Sequence, residues 1–245
     1  MATRLPGISV FLPSHNEEGN VERVVTEMCA ALPKIADDYE VIVVDDGSKD
    51  RTGQIADRLA ASNPHVKVVH HEVNRGYGGA VISGILASRM PYVVLCDGDG
   101  QFDPTDIGLL AQKVPVYDVV VGRRTHRADP LMRRLNGRAW TTLIWLLLQV
   151  RIHDLDCGLK LFKHEVLDGL DLRSQGAMIT AELMAQLVGR GARITEVPVR
   201  HLPRLAGEQT GANMRVILKA FRDLFKLYGR LREARKRGAA MVAKP

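Results

Sequence analysis

The chain has 245 residues, of which 46% are hydrophobic and 25% charged, the balance of an ordinary globular protein with enough length to bury the core of one α/β domain. A net charge of +6 favours anionic partners such as phosphates or membrane lipids. Nucleic acid is disfavoured as a partner, because only 5% of the residues are aromatic and the basic residues do not alternate with stacking rings.

Polar residues follow each of the first two predicted strands. The apolar run Ile8–Leu12 ends at Pro13–Glu18, and the apolar run Glu40–Val44 ends at Asp45 and Asp46. Continuous apolar runs of this length are typical of strands that are covered on both faces of a parallel sheet. Each strand therefore forms a β-to-α junction with a polar turn.

Helices are predicted after both strands, one reaching about residue 32 and one covering residues 52–62. A third helix begins at the glycine-rich segment Gly76–Ala80. Backbone N–H groups of such a segment can bind phosphate, but close packing of the helix would also explain the glycines. The spacing does not match the P-loop of an ATPase.

The apolar run Val93–Cys96 ends in two carboxylates, Asp97 and Asp99, that are one residue apart. Carboxylates held on a tight turn, with the amide oxygen of Gln101 close by, suit a hard divalent cation that also binds phosphate oxygens. The alternative is a polar turn in which Asp103 caps the next helix. The acidic end of the preceding strand favours the cation, Mg2+ or Mn2+.

These three strand ends are expected to lie together, because ligands of open α/β sheets bind beyond the carboxyl ends of the strands. Asp46 can then hold ribose hydroxyls or a base N–H, while Asp97 and Asp99 hold the metal. The arrangement indicates a site for a nucleotide diphosphate.

Arginines are concentrated after the next predicted strand, Val119–Val121. Arginine forks bind phosphate oxygens bidentately, so arginines beside a metal-diphosphate site suggest a second phosphate. A solvated basic face is the competing interpretation for Arg124, Arg127 and Arg133. It is weaker for Arg123, which directly follows the buried strand.

Two helical segments of the second half have more than one interpretation. The apolar run 139–150 is too short to span a bilayer, which takes about 20 residues, and is either a core helix or an interfacial helix with Trp140 and Trp145. Residues 213–237 have apolar residues at helical spacing with a basic opposite face. That helix is expected to pack on its own domain, to pair with another subunit in a homo-oligomer, or to lie on anionic lipid.

Six segments in order resemble the motifs of inverting family 2 glycosyltransferases with the GT-A fold, and the later ones resemble the branch that transfers mannose or glucose to dolichol or polyprenol phosphate. The likeness covers roughly residues 7–205. The segments are Pro13–Glu17, Val44–Thr52, Asp97–Gln101, Val121–Arg123, Asp154–Phe162 and Glu196–Val199.

The resemblance implies a role for each candidate site residue. The metal ligands would be Asp97, Asp99 and Gln101. The nucleotide sugar, of GDP-mannose or UDP-glucose type, would contact Pro13, His15, Glu17, Asp45, Asp46, Asp97 and Arg204. The acceptor phosphate would be gripped by Arg123 and Arg138, and the residues assigned to catalysis are Asp99, Arg123 and Glu182.

Two of these residues leave alternatives open. Glu182 occupies the place where other family 2 enzymes keep a general base, but a phosphate acceptor is already anionic near neutral pH and needs none. Glu182 could equally hold a sugar hydroxyl or orient an arginine. Arg204 belongs to the segment 200–211, which is either a linker or a loop ordered by donor binding.

The resemblance also sets the expected architecture, function and location. We expect an α/β fold of GT-A type, a Rossmann-like, mostly parallel sheet flanked by helices, in one domain over 1–212. Its donor half would cover about 1–121 and its acceptor half about 122–212, with a basic helix and tail over 213–245. The expected function is metal-dependent, inverting transfer of a hexose to a polyprenyl phosphate. The alternatives are transfer to a hydroxyl acceptor and a non-catalytic nucleotide-sugar-binding domain.

The expected location is the cytoplasm, and a lipid acceptor would imply peripheral association with the cytoplasmic face of a membrane. Residues Met1–Gly7 do not have the apolar core of a signal peptide, and the three cysteines have no metal-ligand spacing and suit a reducing compartment. Because the chain has no predicted transmembrane segment, a lipid acceptor would have to be reached from the membrane surface.

Overall fold

The computed structural model of the protein describes residues 4–125, 142–204 and 222–233. Arg138, Trp140 and the arginines at 127, 133 and 134 lie outside the described residues, so the roles given to them stay predictions.

The described strands form one seven-stranded sheet in the order β3-β2-β1-β4-β6-β5-β7. Neighbouring strands are parallel except β6, which runs antiparallel to both β4 and β5. The strands are β1 Ile8–Ser14, β2 Tyr39–Asp45, β3 Val66–His70, β4 Tyr92–Cys96, β5 Val119–Arg124, β6 Leu159–Lys163 and β7 Ile194–Val199. The mostly parallel sheet predicted from the sequence is thereby confirmed.

Helices cover both faces of the sheet. They are α1 Val21–Ala31, α2 Thr52–Ser62, α3 Tyr77–Ala87, α4 Ile107–Ala111, α5 with helical residues 142–148, α6 Met178–Gly189 and α7 with helical residues 222–233. Short 3-10 turns at Leu32–Lys34, Pro104–Asp106 and His164–Val166 complete the described helical structure.

Alternation along the strands divides the core into two layers. In β1, Val10 and Leu12 belong to the layer that α1 covers, while Phe11 points into the layer that α3 and α6 cover. The same division separates Val94 from Leu95 in β4. Successive side chains of a strand point to opposite faces, so a strand covered on both faces has to be apolar throughout.

The bounds predicted from the sequence for the first strand and the first two helices agree with the structure to within two residues. The helix predicted over 52–62 is α2, Thr52–Ser62, and the helix predicted to reach residue 32 ends at Ala31 before a 3-10 turn. Strand β1 runs to Ser14, two residues further than predicted, because Pro13 and Ser14 still pair with β2.

The helices α5 and α7 pack one face on the core and leave apolar side chains on the surface. Ile144 and Leu148 of α5 and Leu224 and Leu227 of α7 are buried in the same layer. On the outer side, Leu146 is 66% exposed and Phe225 is 57% exposed. The described parts of both segments therefore pack on their own domain, which is one of the predicted alternatives. Within the described ranges, no helix combines the length and the apolar character that crossing a bilayer demands.

Candidate functional site

The ends of β1, β2 and β4 meet at one edge of the sheet, as predicted. Asp46 N, after β2, donates to Ser14 O at the end of β1 across 2.9 Å. On the other side of β1, a Cβ added to Gly98 would lie 2.6 Å from Ser14 Oγ, so the turn after β4 packs directly against Ser14. The end of β1 is therefore the centre of the candidate site.

The turns after β1 and β2 are fastened to each other by polar contacts. Asn16 N donates to Ser48 Oγ at 3.0 Å, and Lys49 N donates to Asn16 Oδ1 at 2.9 Å. Glu17 N donates to Thr52 Oγ1 at 2.8 Å. Asn16 adopts a left-handed conformation with φ of 55°, which asparagine tolerates better than most residues. The polar residues that the sequence singled out here thus hold the shape of the site.

Asp45 and His15 are both engaged in this framework. Asp45 is 6% exposed and accepts a hydrogen bond from Ser48 N at 3.1 Å, while its other oxygen lies 3.1 Å from His70 Nδ1. His15 Nδ1 lies 2.9 Å from Asp46 O. These contacts support positioning of the two turns, and direct contact of Asp45 or His15 with a nucleotide stays a prediction.

Asp46 is held by a histidine that the sequence analysis did not single out. Its Oδ1 lies 2.6 Å from His71 Nδ1 and accepts from Arg75 N at 2.8 Å. His71 is 5% exposed, and its Nε2 lies 2.8 Å from Ser83 Oγ. The signal was its position, since His71 directly follows β3 at the same edge of the sheet. Contact of Asp46 with ribose or base stays a prediction.

Asp97 and Asp99 lie at the end of β4, where the sequence placed them. Tyr77 donates its hydroxyl hydrogen to Asp97 Oδ1 at 2.8 Å, and burial raises the pKa of Tyr77 well above its usual value, so the phenol stays a donor. Burial, and then the neighbouring Asp99, raise the pKa of Asp97. Asp99 Oδ1 accepts from Gln101 N at 3.1 Å. The two carboxylates thus form a negatively charged pair that a cation would stabilise.

Glu17 and Arg204 complete this carboxylate cluster. Arg204 Nη2 lies 2.5 Å from Glu17 Oε1, and Arg204 Nη1 lies 3.8 Å from Asp99 Oδ2. Burial raises the pKa of Glu17, and Arg204 acts in the opposite direction. The structure therefore brings together Glu17, Asp99 and Arg204, which the sequence assigned to one site from three distant segments.

The segment that carries Arg204 is anchored at two points. Arg200 pairs with the buried Asp106, its backbone N donating to Oδ2 at 2.7 Å and its Nη2 lying 2.6 Å from Oδ1. Gln101 Nε2 donates to Leu202 O at 3.2 Å, and Leu202 N donates to Gln101 O at 2.8 Å. Gln101 therefore ties the turn after β4 to this segment, and its role as a metal ligand stays a prediction.

The donor set fits a divalent cation that is shared with a phosphate ligand. Among the residues that the structure describes, no three His, Cys, Asp or Glu side chains converge into a complete metal site. Asp97 and Asp99 supply hard carboxylate oxygens, and a bound cation would relieve the repulsion between their like charges. Mg2+ and similar ions are commonly held by one or two carboxylates together with substrate phosphates, so the incomplete protein site is chemically reasonable.

Arg123 and Arg124 end strand β5 but have different surroundings. Arg123 is exposed at the strand end, as a ligand for an external phosphate would have to be. Arg124 makes a bidentate pair with Asp154, with Nε–Oδ2 at 2.8 Å and Nη2–Oδ1 at 2.7 Å, and its side chain is 15% exposed. The interpretation of Arg124 as part of a solvated basic face is wrong, because its guanidinium is paired with Asp154 and largely buried.

Lys160 is a buried cation near the site whose role the sequence did not identify. It lies in β6 opposite Leu95, is 1% exposed, and donates to Cys157 O. Burial lowers its pKa, whereas Cys157 and Asp97 act in the opposite direction. A lysine inside the apolar run of β6 was the available signal.

Glu182 lies on α6, is 1% exposed, and is fully engaged with protein groups. Its Oε2 accepts from Ser174 N at 2.7 Å and Arg173 N at 3.1 Å, and its Oε1 lies 3.0 Å from Arg230 Nη2. This arrangement favours the predicted alternative in which Glu182 orients an arginine. Its catalytic role stays a prediction.

A sequence model described as Glycosyl transferase family 2 matches residues 9–170, which is more than half of the chain and includes the strand ends described above. The chain belongs to glycosyl transferase family 2. It is therefore a glycosyltransferase by family, and the prediction of the family from its motifs is confirmed.

Relatives in the family share sequence over most of this chain. A polyprenol monophosphomannose synthase from Mycolicibacterium smegmatis is 32% identical over 241 residues, covering 92% of this chain and 89% of that protein. An undecaprenyl-phosphate 4-deoxy-4-formamido-L-arabinose transferase from Pseudomonas fluorescens is 30% identical over 218 residues and covers 87% of this chain. The chain spans 62% of the length of that second relative.

Solved structures of another protein share the fold of this chain. Glucosyl-3-phosphoglycerate synthase from Mycobacterium tuberculosis, in complex with phosphoglyceric acid, superposes with a TM-score of 0.70 at 24% identity, covering 91% of this chain and 80% of that one. The same enzyme with Mn2+, UDP-glucose and phosphoglyceric acid gives a TM-score of 0.69 at 22% identity, with the same coverage. The GT-A fold predicted from the sequence is confirmed by these matches.

Proposed function

We propose that this family 2 glycosyltransferase moves one hexose, with inversion, from a nucleotide diphosphate sugar to a polyprenyl monophosphate. The two relatives described above support the acceptor, since both are named for sugar transfer involving polyprenol or undecaprenyl phosphate. The synthase named first resembles this chain along nearly its whole length, which makes it the stronger support.

The carboxylate cluster supports the donor half of the proposal. Asp97 and Asp99, with Gln101, would hold Mg2+ or Mn2+, and Glu17 and Arg204 border the same position. Mn2+ and UDP-glucose are present together in a structural neighbour. When bound, the cation would supply charge neutralisation for the departing nucleotide diphosphate.

Arg204 and Asp46 have complementary tasks in this proposal. The guanidinium of Arg204 lies beside Asp99. From there it can turn toward a bound diphosphate, which would then replace the carboxylates as its partner. Asp46, fixed by His71 and by Arg75 N, would accept from a ribose hydroxyl or a base N–H. The donor would thereby be held at both ends, by Asp46 at the nucleoside and by Arg204 at the diphosphate.

The observation that carries the acceptor class is the engagement of Glu182. A hydroxyl acceptor needs a general base, and the carboxylate at the expected position accepts two backbone N–H groups and pairs with Arg230. A phosphate acceptor has a second pKa of about 6 and is already largely anionic near neutral pH. Arg123, exposed at the end of β5, and Arg138 would bind that phosphate.

The protein would act from the cytoplasmic face of the membrane as a peripheral enzyme. Trp145 of α5 is 40% exposed, and the guanidinium of Arg151 lies 5.1 Å from its ring centroid. Leu146 and Phe225 add exposed apolar surface on α5 and α7. Aromatic and apolar side chains next to arginines suit the interface of an anionic bilayer, where a polyprenyl phosphate resides.

The purified protein should convert a short polyprenyl phosphate into a glycosylated lipid when detergent or anionic vesicles and Mn2+ are present. GDP-mannose and UDP-glucose would be tested in parallel, and both the lipid product and the released nucleotide diphosphate would be followed by mass spectrometry. Phosphoglyceric acid and simple sugars serve as control acceptors. Turnover with these soluble acceptors and none with polyprenyl phosphate would contradict the proposal.

A further inference from the structure

Tyr77 holds the carboxylate of Asp97 by one oxygen. Its hydroxyl is 2.8 Å from Asp97 Oδ1, and Tyr77 is the first residue of α3. Around the other oxygen the fold leaves room only for a glycine, because a Cβ added to Gly158 would lie 1.9 Å from Asp97 Oδ2. The direction of the carboxylate therefore depends on where the first turn of α3 lies.

The first turn of α3 rests on the backbone of the segment before α6. Gly78 N donates to Gln175 O at 2.7 Å, and a Cβ added to Gly78 would lie 2.0 Å from Ser174 O. Gly76, with φ of 78°, lets the chain turn into the helix at this point. Close packing thus explains these glycines, and the N–H of Gly78 is occupied by a carbonyl rather than open to phosphate.

Glu182 holds the segment on which α3 rests. It accepts hydrogen bonds from the backbone N–H groups of Arg173 and Ser174, next to the carbonyls that contact Gly78. The opposite oxygen pairs with Arg230 of α7, whose side chain is 39% exposed. A buried carboxylate that accepts from consecutive backbone N–H groups fixes the path of the chain it binds.

We propose that Tyr77 and Glu182 are positioning residues for Asp97, linked in the order Arg230, Glu182, residues 173–175, first turn of α3, Tyr77, Asp97. The inference rests on the proposed function, in which Asp97 holds a divalent cation. In this proposal Glu182 affects metal binding indirectly, by positioning Asp97, and it does not act as a general base. Partners that orient a metal ligand commonly change metal affinity or activity 10- to 100-fold when they are removed.

Tyr77→Phe is the most direct test, because it removes only the hydroxyl that touches Asp97. Mn2+ binding would be measured by calorimetry in the presence of UDP or GDP, whichever the unaltered protein binds, and the Mn2+ concentration for half-maximal turnover by assay. We expect both to weaken by about ten-fold or more. Tyr92→Phe, the same change at the opposite end of β4, is the matched control and should bind Mn2+ like the unaltered protein. Equal Mn2+ binding by Tyr77→Phe and Tyr92→Phe would overturn the proposal.

Glu182→Gln separates positioning from base catalysis. We expect a raised Mn2+ requirement and a turnover number that recovers to within a few-fold at saturating Mn2+. A general base contributes roughly 10²–10⁴-fold, so its loss would leave the variant slow at every Mn2+ concentration. Slow turnover with normal Mn2+ binding would therefore overturn the assignment, as would a variant that matches the unaltered protein in both measurements.

Arg230→Gln gives a second variant that does not place a change in the core. It should raise the Mn2+ requirement in the same direction as Glu182→Gln. Asp171→Asn is its control, since Asp171 pairs with the exposed side chain of Arg173, whereas Glu182 binds the backbone N–H of that residue. An Arg230→Gln variant that binds Mn2+ like Asp171→Asn would exclude α7 from the link. Absence of Mn2+ binding in the unaltered protein with UDP and with GDP would instead refute the proposed function, and with it this inference.

Discussion

Arg204 Nη2 lies 2.5 Å from Glu17 Oε1, although 187 residues separate them in the sequence. The contact joins the segment after β7 to the turn after β1 and places the guanidinium within 3.8 Å of Asp99. The contact thus links the last segment of the site to the first one. A bound diphosphate would compete with the carboxylates of Glu17 and Asp99 for the guanidinium of Arg204.

Arg204→Ala should lower kcat/KM for the nucleotide sugar by about ten-fold or more, because a charge-assisted contact with phosphate is worth about 1.5–3 kcal/mol. The acceptor KM should change little. Arg51→Ala, which removes an exposed arginine from its pair with Glu18, is the matched control for lost positive charge. Donor kinetics that are the same in the two variants would contradict the role given to Arg204.

Asp97→Asn and Asp99→Asn should each abolish metal-dependent turnover without unfolding the protein. The pKa of Asp97 is raised by burial and by Asp99, so removing one of the two charges relieves repulsion in the metal-free protein. Thermal unfolding without metal should therefore begin no earlier in these variants. Asp103→Asn is the control, since Asp103 caps the neighbouring 3-10 turn through Thr105 N at 2.9 Å. Full activity in excess EDTA would refute the metal assignment.

The fold and the acidic edge of the site were predictable because both depend on patterns within short stretches of the sequence. An apolar run followed by carboxylates defines a strand and its end without knowledge of the rest of the chain, and β2 and β4 both have this form. The meeting of Asp46 with Asp97 at one edge then follows from the parallel arrangement of the strands.

Partners that come from distant segments were not predictable in the same way. Arg124 and Asp154 are 30 residues apart, and the residues around Arg124 in the sequence do not indicate that Asp154 is its partner. His71 and Tyr77 hold Asp46 and Asp97 only because β3 and α3 pack beside the strand ends. The sequence thus identifies the groups that carry charge, whereas packing decides which neighbours orient them.

Arg123→Ala and Arg138→Ala should raise the KM for polyprenyl phosphate more than the KM for the nucleotide sugar. Each lost contact with a phosphate is worth about 1.5–3 kcal/mol, so effects of about ten-fold are expected. Arg124→Ala is an informative contrast, because it removes the bidentate pair between Arg124 and the buried Asp154 and should mainly lower the thermal midpoint. Loss of donor binding with normal acceptor kinetics in Arg123→Ala would refute the assignment.

The stability of the fold should depend on pH through Asp118. The pairs with Arg193 and Lys163, each at 2.9 Å, hold the pKa of Asp118 well below its usual value. A carboxylate with a lowered folded pKa contributes stability above the unfolded pKa, about 3.9, and loses it as the pH falls toward the folded value. Asp118→Asn should therefore lower the unfolding free energy at pH 7 by on the order of 1 kcal/mol, a modest value because the pair is near the surface.

The difference between Asp118→Asn and the unaltered protein should shrink as the pH is lowered from about 5 toward 2, since the unfolded carboxylate becomes protonated over that range. Urea unfolding at several pH values measures this directly. The substitution should leave the Mn2+ requirement unchanged, because Asp118 lies directly before β5, at the end of the strand away from Arg123. Asp171→Asn, with an exposed partner, should show a much smaller pH-dependent difference. A gap that stays constant or widens in acid would show that Asp118 does not stabilise the fold through its charge.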